Sequence, residues 1–265
     1  MVIVSALSLL GCHIHMAADA QPDPLNQLLT SIAETFEPAS QDLLVRRELL
    51  RRTDSKFLVP AAELPRLLEP LHQDYAVLRA GEVTLADYQT LYFDTPELRC
   101  FHDHRRGRRS RHKVRVRHYP DRQVSFLEVK TKRSKAMSYK SREAKQYGSC
   151  ELEARDRQFV AAHTGIAAHK LEPQAWTNFR RLSLIGIHTN ERVTIDVDLR
   201  VRTDGDDTLL KGVGIVEVKQ APFCVRTPVM RSLRAAQMRP SSASKYMTAI
   251  ALNREGIRLN TLRPM

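Results

Sequence analysis

Lys113, Arg115 and Arg117 alternate with Val114 and Val116 in the stretch RHKVRVRHY (111–119). A period of two is the signature of a β-strand, whose successive side chains point to opposite faces. One face of this strand therefore carries cations and the other valines. The pattern recurs along the chain. Arg52, Asp54 and Lys56 alternate in RRTDSKFLV (51–59), and Glu128, Lys130 and Lys132 oppose Leu127 and Val129. Lys140 and Arg142 share a face in YKSR, and Arg181 falls with Phe179 in FRRLSL. Arg192, Thr194, Asp196 and Asp198 oppose Val193, Ile195 and Val197, while Glu217 and Lys219 oppose Val216 and Val218.

A single strand of this kind can simply solvate one face of an antiparallel sheet. Repetition over many strands, with Arg and Lys chosen each time, points instead to a sheet closed on itself with its charged faces inward. Crowded cations repel one another, and a chain of phosphates would neutralise them. The acids then have a role. Glu217 and Asp196, with Glu128 or Asp198, could hold a hard divalent ion with oxygen ligands that also bridges phosphate oxygens, which points to Mg²⁺ or Mn²⁺. The competing role for each acid is an ion pair with a neighbouring Arg or Lys. His112 and His118 flank the basic strand, and the ten histidines have no ligand spacing.

These faces require short strands in series with helices to cover the apolar side. The predicted fold class is α+β: a closed, mostly antiparallel β-barrel or tunnel with a polar, charged interior, covered outside by helices. Helices are predicted over 60–75, within 153–170 and over 242–256, the last with Ser242 or Ser244 as N-cap and Gly256 as stop. DHRRGRRSR (103–111) reads as a basic loop. The chain contains no P-loop, no G-x-G-x-x-G and no internal repeat.

In bulk, the chain has 265 residues with 42 Lys and Arg against 30 Asp and Glu, a net charge of +12. Such a balance suggests an anionic partner, and an aromatic content of 6% weakens the case for a base-stacking platform. Cys12, Cys100, Cys150 and Cys224 form no C-x-x-C pair, so free thiols in a reducing compartment and no structural zinc are expected. Three segments are expected. Residues 1–40 form a flexible lead or a short docking helix, 41–256 the tunnel domain, and 257–265 a tail. The apolar run Val2–Leu10 is too short to span a bilayer and lacks a positive n-region, so export is not expected and Met16 is an alternative start.

From about Leu43 to Asn253 the motifs together resemble the VTC (vacuolar transporter chaperone) domain of polyphosphate polymerases, within the triphosphate tunnel metalloenzyme or CYTH-like superfamily. RRTDSKFLV resembles the opening strand, LYFDTPELRCF (91–101) the strand and turn before the basic strand, and FLEVKTKR the E-x-K strand. VEVK resembles the metal-type strand and SKYMTAIAL the closing helix. The resemblance implies transfer of the γ-phosphoryl group of ATP to a growing polyphosphate chain, with Mn²⁺ or Mg²⁺ as cofactor. On this reading Lys56, Arg115, Arg117, Lys130, Arg181, Arg192 and Lys245 act on the reacting phosphates. Arg52, Lys113, Lys140, Arg142, Lys219 and Ser244 bind substrate, and Glu217, Asp196 and Glu128 hold metal. The chain departs from the family's usual pattern at Phe179 (often Tyr), Ser242 (Lys in some polymerases) and Asp54 (often Glu). Alternatives are a metal-dependent triphosphatase on the same scaffold, a non-catalytic polyphosphate-binding module, and charge-driven nucleic-acid binding. The carboxylates interleaved with the cations argue against the last, and no specific nucleic acid is expected. The expected setting is cytoplasmic, with room for a membrane partner protein.

Overall fold

The computed structural model describes residues 23–47, 52–133, 138–203 and 207–254. The expectations for the first residues, for Gly256 and for the tail lie outside them. In chain order the elements are α1 (Pro24–Glu34), α2 (Gln41–Arg46), β1 (Thr53–Pro60), α3 (Leu64–Leu68), β2 (Tyr75–Val77) and β3 (Leu85–Asp94). There follow α4 (Arg99–Arg105), β4 (Arg111–Tyr119), β5 (Val124–Lys132), β6 (Ser138–Lys145), α5 (Ala154–Thr164) and β7 (Glu172–Gly186). Last come β8 (Glu191–Arg202), β9 (Asp207–Leu209), β10 (Val213–Gln220), α6 (Pro228–Ala235) and α7 (Lys245–Asn253).

The strands form one ten-stranded sheet in the order β1-β10-β8-β7-β3-β4-β5-β6, with β2 on β7 and β9 on β8. Every strand pair is antiparallel. The apolar positions of the alternation are buried on the outer face. Phe57, Val59, Val193, Ile195, Val216 and Val218 pack with Leu29 and Ile32 of α1, Leu64 and Leu68 of α3, and Val229 of α6. Val114, Val116, Leu127 and Val129 pack with Val160 of α5. Within the segment expected as a flexible lead, α1 is thus a docking helix. Its start is set by Pro24 in the first turn and by the Asp23 side chain, which accepts from the Leu25 N–H at 2.9 Å.

Two expectations need correction. The helix predicted over 60–75 shrinks to α3 with a 3₁₀ turn on either side, and Tyr75 opens β2. Pro65 and Pro70 each remove a backbone donor, so the leucine spacing cannot run as one helix. The concave face is also not polar throughout. Tyr246, Met247, Ala249 and Ile250 of α7 fill one end of it, against Tyr92, Ala175, Phe179, Leu199, Val201 and Ile215. Leu199 and Val201 join this face because Asp198 takes a positive φ of 53° and the β7–β8 register shifts between Asn178 and Arg180. That irregularity reverses the parity of the strand. Asp198 accepts from Asn26 Nδ2 of α1 at 2.6 Å, so it belongs to the helix-covered side and not with Asp196.

The sheet curls, although no β1–β6 pairing closes it among the described residues. The free edge of β1 instead receives the segment leading into α7. Phe57 bridges Pro240, and the Ser241 N–H donates to the Lys56 carbonyl at 2.7 Å.

Close approach at Gly186, the end of β7, yields a stability prediction. A Cβ there would lie 2.5 Å from the Thr189 carbonyl oxygen, inside contact distance of backbone that cannot rotate away. Gly186→Ala should cost about 1–3 kcal/mol, read as a lower urea midpoint at unchanged slope.

Candidate functional site

The site is the concave face, and adjacent strands build it by pairing. Arg115 on β4 lies opposite both Tyr92 and Glu128 in register. Its guanidinium meets the Glu128 carboxylate at 2.7 and 2.6 Å and donates to the Tyr92 hydroxyl at 3.2 Å. Lys140 on β6 closes on the other Glu128 oxygen. Arg117, one step along, is 7% exposed. It donates from Nε to Thr90 Oγ1 at 3.1 Å and lies 5.5 Å from the Tyr88 ring centroid. On β7, Arg181 grips Asp196 of β8 with two hydrogen bonds, 2.5 Å to Oδ1 and 2.8 Å to Oδ2. Lys245, the first residue of α7, bonds Asp196 as well. Both cations lie against the Phe179 ring, with centroid distances of 5.2 Å for Arg181 and 4.3 Å for Lys245. On β10, Lys219 Nζ meets Glu217 Oε2 at 2.7 Å, and Lys56 of β1 stands 3.9 Å from Oε1.

The curl of the sheet brings together residues from opposite ends of the strand order. Burial pushes the Lys113 amine well below its ordinary value, and the charges of Lys56, Lys130 and Arg115 push it further. Lys130 is lowered by burial and by Lys56, while Asp54 and Glu217 oppose the shift. Lys56 of β1 therefore acts on residues of β4 and β5, five and six places away in the sheet. The segment before α7 ties the two sides: Ala243 O accepts from Lys56 Nζ at 3.2 Å and Ser244 Oγ from Lys113 Nζ at 2.8 Å. Ser244 is the N-cap of α7, but its hydroxyl serves Lys113 and not the helix backbone.

The carboxylates respond in the opposite direction. Burial alone would raise Glu217, yet Lys219 and Lys56 hold it far below the usual carboxylate range. Arg115 does the same for Glu128, and Arg181 with Lys245 for Asp196, in each case against burial. The Tyr92 phenol, which burial would raise, is lowered by Arg115 and Arg117. Burial brings Lys140 down to about 8 against the pull of Glu128.

The three acids expected at a metal therefore differ. Both oxygens of Asp196 and of Glu128 are engaged by cations. Glu217 keeps one oxygen with only Lys56 at 3.9 Å. Among the described residues no group of three or more His, Cys, Asp or Glu side chains could hold an ion. The donor set does not suit an all-protein cage. A divalent ion could take one carboxylate oxygen here, that of Glu217, and would need its other ligands from water or a bound anion.

The remaining expected residues take these places. Arg52 pairs with Asp54 at 2.9 Å at the exposed start of β1. Arg142 lies 4.9 Å over the Phe126 ring on the β5–β6 side. Arg192 donates to the Leu44 carbonyl of α2 at 2.7 Å, tied to the end of the face away from α7. Tyr88, Thr90 and Tyr92 were not among the expected site residues, although their period-two alternation on β3 was visible in the sequence. Each supports a cation: Tyr88 lies under Arg117 and Arg181, Thr90 accepts from Arg117, and Tyr92 from Arg115. His118 is buried against Trp176 at 5.7 Å and lowered to about 4 by burial and by Lys145, a packed residue on the outer side.

No helix among the described residues is long and apolar enough to cross a membrane. A comparison with curated proteins finds no match. Among solved structures, a putative adenylyl cyclase from Hippeastrum, described as having a dominant triphosphatase activity, superposes with a TM-score of 0.51 at 14% identity, covering 77% of this chain and 98% of its own. A putative adenylate cyclase from Bacillus halodurans gives a TM-score of 0.50 at 12% identity over 73% of this chain and 94% of its own. Identities this low establish the shared fold alone. The VTC domain model matches residues 51–253, and the chain belongs to that family.

Proposed function

We propose that the concave face is a closed phosphate tunnel in which the γ-phosphoryl group of ATP is transferred to the end of a polyphosphate chain. One observation carries the reading: the cations of β1, β4 and β5 act on one another, those of β7, β10 and α7 do the same, and the two groups converge on Glu217 and Tyr92 of a single concave face. A terminal phosphate oxygen of the polymer attacks the γ-phosphorus, the β–γ bridging bond breaks, and ADP leaves. Such a reaction needs alignment and charge neutralisation more than covalent chemistry. Arg115, Arg117, Lys130, Arg181, Arg192 and Lys245 would clamp phosphates, and Lys56 would face the reacting group beside Glu217. Arg52, Lys113, Lys140, Arg142, Lys219 and Ser244 would line the path. A divalent Mn²⁺ or Mg²⁺ supplies charge withdrawal from the phosphate oxygens when bound, and Glu217 is the residue that would hold it. Asp196 and Glu128 would instead set the angles of Arg181 and Arg115. Burial of the guanidinium ion pairs on aromatic rings keeps them in place before substrate arrives.

Hydrolysis on the same face is the second reading, favoured by the triphosphatase description of the Hippeastrum neighbour. The reading places the chain in a cytoplasmic setting, where a membrane partner could receive the polymer. Incubation of the full chain with ATP and Mn²⁺, resolved on a gel, separates the readings. Polymerisation gives a ladder, whereas hydrolysis gives only orthophosphate.

Polyphosphate binding should also take up protons. Lys113, Lys130 and Lys140 all lie below the ordinary lysine value in the free protein. A bound polyanion favours their charged forms and raises them again. Tripolyphosphate affinity should therefore weaken as pH rises from about 7 to about 9. Calorimetry at pH 8 in two buffers of different ionisation heat should register net proton uptake, and none would contradict this account.

A further inference from the structure

We propose that the loop between α4 and β4 carries an outer binding site for long condensed phosphates, contiguous with the concave face and reached only by chains that extend beyond it. The inference rests on the phosphate-handling reading above and adds a second site to it. The inward row of β4, Arg117, Arg115, Lys113 and Arg111, runs about 20 Å at the strand rise. Beyond Arg111 the chain continues as Arg109, Arg108, Arg106 and Arg105. The loop adjoins the face itself, because the charges that act on His104 of α4 are those of Lys113, Arg111, Lys56 and Lys132.

Charge balance changes at this boundary. Inside, Glu128, Asp196 and Glu217 are interleaved with the cations. Across 103–111 the only acid is Asp103, and it pairs with Arg108 at 3.0 Å. Arg106 and Arg109 are exposed and have no carboxylate partner among the described residues. The loop is also held in shape. The Arg108 N–H donates to the Asp103 carbonyl at 2.9 Å and the Gly107 N–H to His104 at 3.1 Å, with Gly107 at a φ of +65°. Arg111 Nη1 donates to the Arg108 carbonyl at 2.9 Å. The guanidinium groups therefore start from a set backbone, which lowers the entropy lost when an anion binds.

The chemistry favours a flexible polyanion over other anionic surfaces. Residues 103–111 contain no Phe, Tyr or Trp on which a base could stack and no apolar side chain to enter a lipid interface. Screening over about 8 Å at physiological salt confines the attraction to phosphates at the loop itself. A short anion seated deep in the concave face should not sense it.

The test compares the unaltered chain with R106Q/R108Q/R109Q and with the charge reversal R106E/R109E. The probes are tripolyphosphate, polyphosphate of about one hundred units, duplex DNA and phosphatidylglycerol vesicles. Both variants should lose at least tenfold in affinity for the long polymer, with a shallower salt dependence, and keep tripolyphosphate affinity within twofold. The retained tripolyphosphate binding also demonstrates folding. Equal loss for both phosphates, or no loss for the long polymer, overturns the proposal. So does a loss confined to DNA or vesicles. Failure of the unaltered chain to bind tripolyphosphate overturns the concave-face reading, and the outer site with it.

Discussion

Asp196→Ala is expected to destabilise the protein by about 3–5 kcal/mol, the usual effect of removing one partner from a buried ion pair, and to abolish turnover. Asp196 is 2% exposed and answers two cations at once, Arg181 and Lys245. Alanine would leave both charges buried without their hydrogen-bonded counterion, beside Lys219 and with Glu217 as the remaining carboxylate that acts on Arg181. Denaturant titration checks the magnitude, and a change below about 1 kcal/mol would show that the pair is hydrated and weak. The sign of the pH dependence follows from the carboxyl shift. Asp196 sits below its ordinary value in the folded protein because Arg181 and Lys245 outweigh burial. Its stabilisation is complete above the unfolded carboxyl value of about 4 and fades as pH falls toward the lower folded value. Glu128 and Glu217 shift the same way. The unaltered protein should lose stability steeply below pH about 4, and the Asp196→Ala variant should have the shallower acid limb.

Glu217→Gln should cost turnover on the order of 10²- to 10³-fold, the scale of losing one preorganised electrostatic contact in a transition state. Tripolyphosphate affinity without metal should stay level or tighten. On the proposed reading the carboxylate adds negative charge to a face that takes up anions, so its removal should not weaken their attraction. Lys219 and Lys56 lose a counterion, but a bound phosphate replaces it. Rates with ATP and Mn²⁺, set beside metal-free calorimetry, resolve the two effects. Parallel loss of binding and rate would mean that Glu217 acts by holding the lysines in position and not through an ion.

Much of the site was legible because alternation is a direct readout of strand faces. Val114, Val116, Val129, Val216 and Val218 are buried outside, as the period of two predicts, with Arg115, Lys130 and Glu217 on the opposite face. The unreadable parts have physical reasons. Asp198 continues the alternation in sequence, but its positive φ and the register shift on β7 turn it to the other side, and neither leaves a local sequence mark. The apolar face of α7 could equally have covered the outside. Only the tertiary packing of Tyr246 against Tyr92, at 5.0 Å between ring centroids, puts it on the concave side. Burial of a carboxylate between two cations likewise depends on strand order, so spacing alone could not separate Asp196 from Glu217. The leucine spacing over 60–75 was a true amphipathic signal, interrupted by Pro65 and Pro70.

Titration of tripolyphosphate into the full chain, into Lys56→Met and into Lys130→Met tests the convergence of distant strands most directly. A single site per chain is predicted, weakened at least tenfold by either substitution, with the double variant less affected than the sum because both lysines face one anion. Unchanged binding in either variant would mean that β1 and β5 do not share a ligand, and the concave face would lose its assigned role.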